Sequence, residues 1–275
     1  MRWYKMSLTE CHYKVVVVTG GASGIGRAIA SKFGREGARV GLLDADKDAL
    51  HLCEKEFKKL GIEVLALKCD VTEEKECTDA INKIIEHFGG IDILVNNAGI
   101  TQRSAFVDTS VAVYRRVMDV NFFGSLHCTK AAIASLIERR GMIIVTESIA
   151  GVSPLLGRSG YCASKHALHG LFTSLRSEMR DQGVHVMIVC PGFIKTNLQS
   201  RALGGDGKVT THQQSRVGKE DTPENVAEAI YRAALKKKHI LVLTTVGKIS
   251  YWISRLFPAF YERTMAKKLK DELIR

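Results

Sequence analysis

Proline is scarce in this chain, four among 275 residues, which leaves no proline-rich linker and no collagen-like repeat. The seven cysteines include no C-x-x-C pair. An odd count without paired spacing argues against a disulfide framework or a zinc site, so free buried thiols in a reducing compartment and no metal are expected. No apolar run approaches 18 residues, so no transmembrane helix is read. The start, MRWYKMSLTECHYKVVVV, is basic but offers only four consecutive valines. That is too little for a signal-peptide core, and a cytoplasmic location is expected. Acid is also in deficit: 29 Asp and Glu face 40 Lys and Arg, a formal net charge of +11. A surplus of that size invites an acidic partner for the whole molecule. Its distribution says otherwise. Residues 236–275 carry ten basic and three acidic side chains, and residues 1–14 three and one, which leaves 27 against 25 in the body. The body is almost neutral, so a nucleic-acid role has little support.

What is present is an alternation. Short runs rich in Val, Ile and Leu lie at Lys14–Thr19, Arg39–Asp44, Glu63–Cys69, Ile91–Val95, Met142–Thr146, Val184–Val189 and Ile240–Leu243. Runs that are apolar on both faces suit strands of a parallel sheet covered on both sides. Helix-length segments separate them at Gly24–Glu36, Lys47–Leu60, Glu73–Phe88, Val111–Arg139, Gly160–Gln182 and Pro223–Leu235. The alternation predicts an α/β, doubly wound Rossmann fold of about seven mostly parallel strands with helices on both faces. Residues 1–245 form a single such domain, and residues 246–275 a basic amphipathic helical extension. Ligands of doubly wound sheets sit beyond the carboxyl ends of the strands, so the residues after each apolar run are the ones to inspect.

After the first run comes Thr19-Gly-Gly-Ala-Ser-Gly-Ile-Gly26. Glycines at 20, 24 and 26 let the backbone turn tightly and approach a ligand, and the following helix offers free N–H groups and a positive dipole end to a pyrophosphate. Asp44 ends the second run. A carboxylate there accepts hydrogen bonds from adenosine ribose hydroxyls and repels a 2′-phosphate, which favours NAD over NADP. The alternative is that Asp44 only caps the next helix. Further on, Tyr161 and Lys165 stand four apart and share one face of a helix. A neighbouring ammonium favours the phenolate of a tyrosine and fits it for general acid/base work. Ser148 follows the fifth run, where a hydroxyl could hold a substrate carbonyl.

These elements together resemble the short-chain dehydrogenase/reductase family. The family's T-G-x-x-x-G-x-G element corresponds to Thr19–Gly26, its acidic end of strand two to Asp44, its Asp-Val pair to Asp70–Val71, and its N-N-A-G to Asn96–Gly99. Its helix-four Asn corresponds to Asn121, its catalytic Ser to Ser148, Y-x-x-x-K to Tyr161–Lys165 and P-G-x-x-x-T to Pro191–Thr196. The resemblance spans residues 14 to about 243 in order and spacing. It implies hydride transfer between a nicotinamide cofactor and a secondary alcohol or ketone. Tyr161 would exchange the proton at the substrate oxygen, and Ser148 would hydrogen-bond that oxygen. Lys165 would bind the nicotinamide ribose and depress the Tyr161 pKa, and Asn121 would hold a water linking Lys165 to solvent. Gly20, Ser23, Gly24, Ile25 and Gly26 would cradle the pyrophosphate, and Asp70 and Val71 would contact adenine. Asn97, Ala98 and Gly99 would line the ribose side, with Pro191, Gly192, Ile194 and Thr196 against the nicotinamide. A homodimer or homotetramer is implied by the same resemblance.

Glu147, beside Ser148, departs from the family, which more often has a small or hydroxyl residue there. It is either a satisfied structural carboxylate or a pocket group favouring a cationic or polyhydroxyl substrate. Cys162 and His166 could touch on a helix, but no third group orients them as a nucleophile pair. His169 and His185 read as ordinary histidines.

Residues 193–222 are polar and aperiodic, at the position of a mobile substrate lid in the family. The tail is more specific. Ile249, Trp252, Ile253, Leu256, Phe257 and Phe260 follow helical spacing, with a kink or restart required at Pro258. Lys248, Arg255, Arg263, Lys267, Lys268 and Lys270 surround them. An aromatic face with a basic rim suits an interfacial membrane helix, or one packed on its own domain or a sister subunit. The tail resembles those of membrane-associated relatives acting on hydrophobic alcohols such as steroids, retinoids or long-chain lipids. The expected activity is therefore NAD-dependent interconversion of a hydrophobic secondary alcohol and its ketone. The alternatives are an NADPH-dependent ketoreductase of lipid metabolism and a catalytically silent dinucleotide-binding module.

Overall fold

A computed structural model describes residues 13–211 and 220–273. Seven strands form one sheet: β1 (Val15–Thr19), β2 (Arg39–Asp44), β3 (Val64–Lys68), β4 (Ile93–Asn96), β5 (Met142–Thr146), β6 (His185–Cys190) and β7 (Ile240–Val242). Their spatial order is β3-β2-β1-β4-β5-β6-β7, and every pairing is parallel. The order reverses between β1 and β4, which opens a crevice at their carboxyl ends.

Alternate residues of each strand serve opposite faces. Val16 and Val18 of β1 join one core, with Ile29 and Phe33 of α1 (Gly24–Arg35), Phe57 of α2 (Lys47–Lys59), and Ile230 and Tyr231 of α7 (Pro223–Leu235). Val15 and Val17 join the other, with Ile81 and Ile84 of α3 (Glu74–Phe88), Leu136 of α5 (Gly124–Glu138) and Phe172 of α6 (Ser159–Glu178). Phe33, Phe57, Phe172 and Tyr231 are fully buried or nearly so. Each such side chain contributes roughly 1.5–3 kcal/mol through the area it removes from water. The six described cysteines are free and buried. Cys11 lies outside the described residues.

The stretch expected as one helix, 111–139, is three pieces. α4 (Val111–Met118) passes into a π-helical turn, Asp119–Phe123, and then into α5. One extra residue per turn rotates Asn121 into full burial. The expected lid, 193–222, is pinned along its described part. Leu203 N donates to the Thr101 carbonyl and the Leu203 carbonyl accepts from Arg103 N, while Lys195 N donates to the Asp221 carbonyl and Asp221 N to the Phe193 carbonyl. Its residues 212–219 lie outside the described residues.

The tail breaks at Pro258. α8 (Thr245–Leu256) stops at Phe257, and α9 (Pro258–Lys268) restarts with the proline in its first turn, where its missing N–H costs nothing. The tail is tied to the loop after β5. Ser254 Oγ donates to the Val152 carbonyl at 3.2 Å and Tyr261 Oη to the Pro154 carbonyl at 3.1 Å. Leu269 and Glu272 are buried, and Glu272 packs against Gly157. No helix among the described residues is long and apolar enough to cross a membrane.

Candidate active site

The carboxyl ends of β1 and β4 are fastened by one hydroxyl. Thr19 Oγ1 accepts from the backbone N–H of Asn97 and of Ala98, each at 3.0 Å, and the Asn97 side-chain amide donates to the carbonyls of Thr19 and Gly20 at 3.1 and 3.3 Å. Gly20 has φ +61°, and a Cβ there would fall 2.9 Å from Ala98 Cα. A Cβ on Gly26 would fall 2.1 Å from the Gly20 carbonyl oxygen. The loop is therefore compact because two residues lack side chains, and it delivers the first N–H groups of α1 to the crevice.

Asp44 sits at the mouth of that loop. Its Oδ2 accepts from Ala22 N and its Oδ1 from Asp46 N, both at 3.0 Å. The cap of α2 is Asp46, which accepts from Ala49 N at 3.0 Å, so the capping alternative for Asp44 fails. Asp44 is instead fixed in orientation, tied to the glycine loop. Asp70 is likewise oriented, accepting at Oδ1 from both Thr72 N and Thr72 Oγ1.

A cleft of about 720 Å³ runs along these strand ends. Gly20, Ser23, Gly24, Ile25, Asp44, Asp70, Val71, Asn97, Ala98 and Gly99 line one end, and Ser148, Tyr161, Lys165, Pro191, Gly192, Ile194 and Thr196 the other. Of the residues singled out in the sequence, Gly26 and Asn121 lie behind the lining. Asn121 Oδ1 accepts from Ile100 N at 2.8 Å, and its Nδ2 donates to the Ile100 carbonyl and to Ser164 Oγ. It braces the segment after β4 against α6. Gly99 stands between it and the ammonium: a Cβ there would lie 3.2 Å from Asn121 Oδ1 and 3.6 Å from Lys165 Nζ.

Tyr161 and Lys165 are both buried on α6, and Lys165 Nζ donates to the Thr146 carbonyl at 2.9 Å. Burial brings the Lys165 pKa down to about 8, against the opposing charge of Glu147. Burial pushes the Tyr161 phenol above its usual value; the Ser148 hydroxyl and then the Arg158 guanidinium pull it back. The expected cation was Lys165, whose Nζ lies 5.7 Å from the centre of the Tyr161 ring. Arg158 was missed. It is buried, reaches Gln199 Oε1 at 3.2 Å and lines the cleft. Its side-chain hydrogen bond is to a residue 41 positions away, which no local pattern announces. Ser148 caps the one-turn helix after it, accepting from Ala150 N at 3.1 Å.

Glu147 borders the cleft but is buried beneath its surface. Its side chain has no exposure, and Oε2 pairs with His169 Nδ1 at 3.0 Å. Cys162 and His166 form no nucleophile pair, as expected: His166 Nδ1 meets the Cys162 carbonyl, and burial raises the Cys162 thiol pKa.

Five apolar residues of the tail face outward, while Ile253 is half-buried and Leu269 buried. Ile249, Trp252, Leu256, Phe257 and Phe260 are 53 to 64% exposed, so their side chains do not pack on their own domain.

Comparison with known proteins agrees with this geometry. The pattern of the family described as short chain dehydrogenase matches residues 14–204. Dehydrogenase/reductase SDR family member 7B of Xenopus tropicalis is 37% identical over 266 residues, covering 94% of this chain and 86% of that one. Among solved structures, a short chain dehydrogenase/reductase from Burkholderia phymatum in complex with NAD superposes with TM-score 0.82 at 22% identity, over 94% of this chain and 96% of that one. An alcohol dehydrogenase from the archaeon Thermococcus sibiricus, complexed with 5-hydroxy-NADP, gives 0.73 at 28% identity, over 85% and 97%.

Proposed function

The chain belongs to the short-chain dehydrogenase/reductase family of oxidoreductases, and on that premise we propose that it interconverts a hydrophobic secondary alcohol and its ketone with NAD. The observation that carries the reading is the Ser148–Tyr161–Lys165 group at one end of a cleft whose other end is a glycine loop with a fixed carboxylate. The residues fit a nicotinamide dinucleotide: helix N–H groups for a pyrophosphate, space kept by absent side chains, and Asp44 for a ribose. Such a cofactor, when bound, supplies or accepts the hydride. The chain's own residues position the other reactant and move the proton. Ser148 Oγ donates to the substrate oxygen, and the Tyr161 hydroxyl gives up or recovers the proton as charge develops on that oxygen. Lys165, a donor buried beside the cleft, holds the ribose and favours the phenolate. Residues 1–245 are the catalytic domain in this reading, with 193–222 closing the substrate side.

The cofactor preference rests on Asp44. Its carboxylate is anchored by two backbone N–H groups, and removing it should relieve repulsion of a 2′-phosphate. Fluorescence titration with NADH and NADPH is the measurement. Asp44→Ala should shift the ratio of dissociation constants toward NADPH by about tenfold. Wild-type protein that binds NADPH more tightly than NADH would overturn the NAD assignment and favour a ketoreductase.

Residues 246–275 are proposed to rest on a membrane surface. The support is an outward row of Ile249, Trp252, Leu256, Phe257 and Phe260 beside Lys248, Arg255, Arg263, Lys267 and Lys268. Apolar side chains enter the headgroup region and the cations meet anionic lipid. Such a position suits a substrate that partitions into lipid. Flotation with anionic liposomes should lose about tenfold in bound fraction when Trp252 and Phe260 both become Glu. Equal flotation of both proteins would point to a sister subunit as the occupant instead.

A further inference from the structure

Lys165 is a cation in a place where water cannot solvate it well. An isolated ammonium in such a place is costly unless an anion stands nearby. It donates a hydrogen bond to a neutral carbonyl, that of Thr146. The next residue in the chain is Glu147, with a fully buried carboxylate. Glu147 exerts the strongest influence that favours the protonated lysine.

Three residues seat that carboxylate. His169 lies one turn beyond Lys165 on α6, so both side chains share a face, and its Nδ1 meets Glu147 Oε2 at 3.0 Å. Burial raises the Glu147 pKa, and His169 and then Lys165 pull it back toward the carboxylate; against that carboxylate, which only accepts, Nδ1 carries the hydrogen. Cys190 Sγ approaches the same oxygen at 3.9 Å. Glu147 Oε1 has no hydrogen-bond partner among the described residues. It lies against Gly151, where a Cβ would come within 1.9 Å of it. A side chain at 151 would evict the carboxylate. A group bonded at one oxygen and bare at the other is poorly explained by hydrogen bonding alone.

We propose that Glu147, held by His169 and seated against Gly151, is the buried counter-charge of Lys165 and thereby an electrostatic positioning residue for the Tyr161–Lys165 pair. Among the described residues no other carboxylate acts on Lys165. Tyr161, Lys165, His166 and His169 act on Glu147 from α6, and Cys190 from β6. Arg255 of α8 acts on Cys190. The phenol and both thiols are weak acids whose pKa values burial raises further. Removing the negative charge should therefore make Lys165 release its proton at lower pH. The same change lowers the Tyr161 pKa, since Glu147 opposes the phenolate.

The inference rests on the reading of Lys165 as part of the catalytic pair, and the experiment separates the two. The whole chain, without cofactor, is labelled by trace acetic anhydride across neutral to alkaline pH, and acetylation of Lys165 is followed by peptide mass spectrometry. Wild type should show a midpoint near about 8. Glu147→Gln should lower it by about one pH unit. Glu147→Met, which removes the charge and keeps the bulk, reads the same shift independently. Glu147→Asp keeps the charge and should hold the midpoint within a few tenths of a unit. A midpoint unmoved in Gln and Met, or moved equally in Asp, would overturn the proposal. A purely structural role would lower the melting temperature without moving the midpoint. Protection of Lys165 by added NADH reports separately on the catalytic reading; its absence would count against that reading and leave the midpoint result standing.

Discussion

Tyr161→Phe is expected to reduce turnover about a thousandfold while cofactor binding stays within a factor of two of wild type. The size follows from general acid/base catalysis, which contributes roughly 10²–10⁴-fold. In the proposed reading the phenol oxygen exchanges the proton at the substrate oxygen, and a hydrogen bond with the Ser148 hydroxyl pulls its pKa down. The ring itself is buried at the foot of α6 and remains in the variant, so packing is preserved. Removal of the hydroxyl leaves no stranded partner, because Ser148 Oγ keeps Ala150 N. Two measurements together decide the matter. NADH absorbance gives turnover on an active secondary alcohol or ketone, and NADH fluorescence gives binding. Retention of more than a tenth of the turnover would remove Tyr161 from the chemistry. Loss of binding in parallel would make it a cofactor contact instead.

Lys165→Met should do two opposite things: abolish most turnover and make the cofactor-free protein more stable. The folded-state pKa of Lys165, about 8, lies below its ordinary 10.5. The unfolded chain therefore binds that proton more tightly. Between these two values the folded state gains stability as pH rises, and below about pH 8 the whole cost is present. A shift of this size corresponds to about 3 kcal/mol. Methionine has similar length and no charge to bury, so near neutral pH the variant should gain about 2 kcal/mol, after allowance for the lost bond to Thr146. The gain should shrink as pH rises toward 10.5. Urea unfolding of both proteins at several pH values tests this. A variant less stable than wild type at pH 7 would show that the ammonium is well satisfied without cofactor.

Much of this was legible in the chain itself, for a definite reason. Buried parallel strands are continuous apolar runs, and the groups that serve a dinucleotide sit in short stretches at strand ends. Residues such as Gly20, Asp44, Tyr161 and Lys165 could therefore be located from local pattern alone. The errors and omissions are of another kind. The interruption at Asp119–Phe123 adds one residue to a turn, which an apolar period of 3.6 tolerates without trace. Arg158 is held in the cleft by Gln199 and influenced by Glu272, and Glu147 pairs with His169. Contacts of that separation leave no period to read. That Asp46 and not Asp44 caps α2 is a distinction of two residues that the sequence leaves open.

The ties from Ser254 to Val152 and from Tyr261 to Pro154 concern inheritance as much as stability. The loop they hold carries the approach to Tyr161, so the last thirty residues cannot be exchanged as an independent cassette. A chimera that receives a foreign tail must receive residues 148–158 with it, or the grafted helices will meet backbone carbonyls they were not built to satisfy. The tail and the loop after β5 are in this sense one unit of recombination.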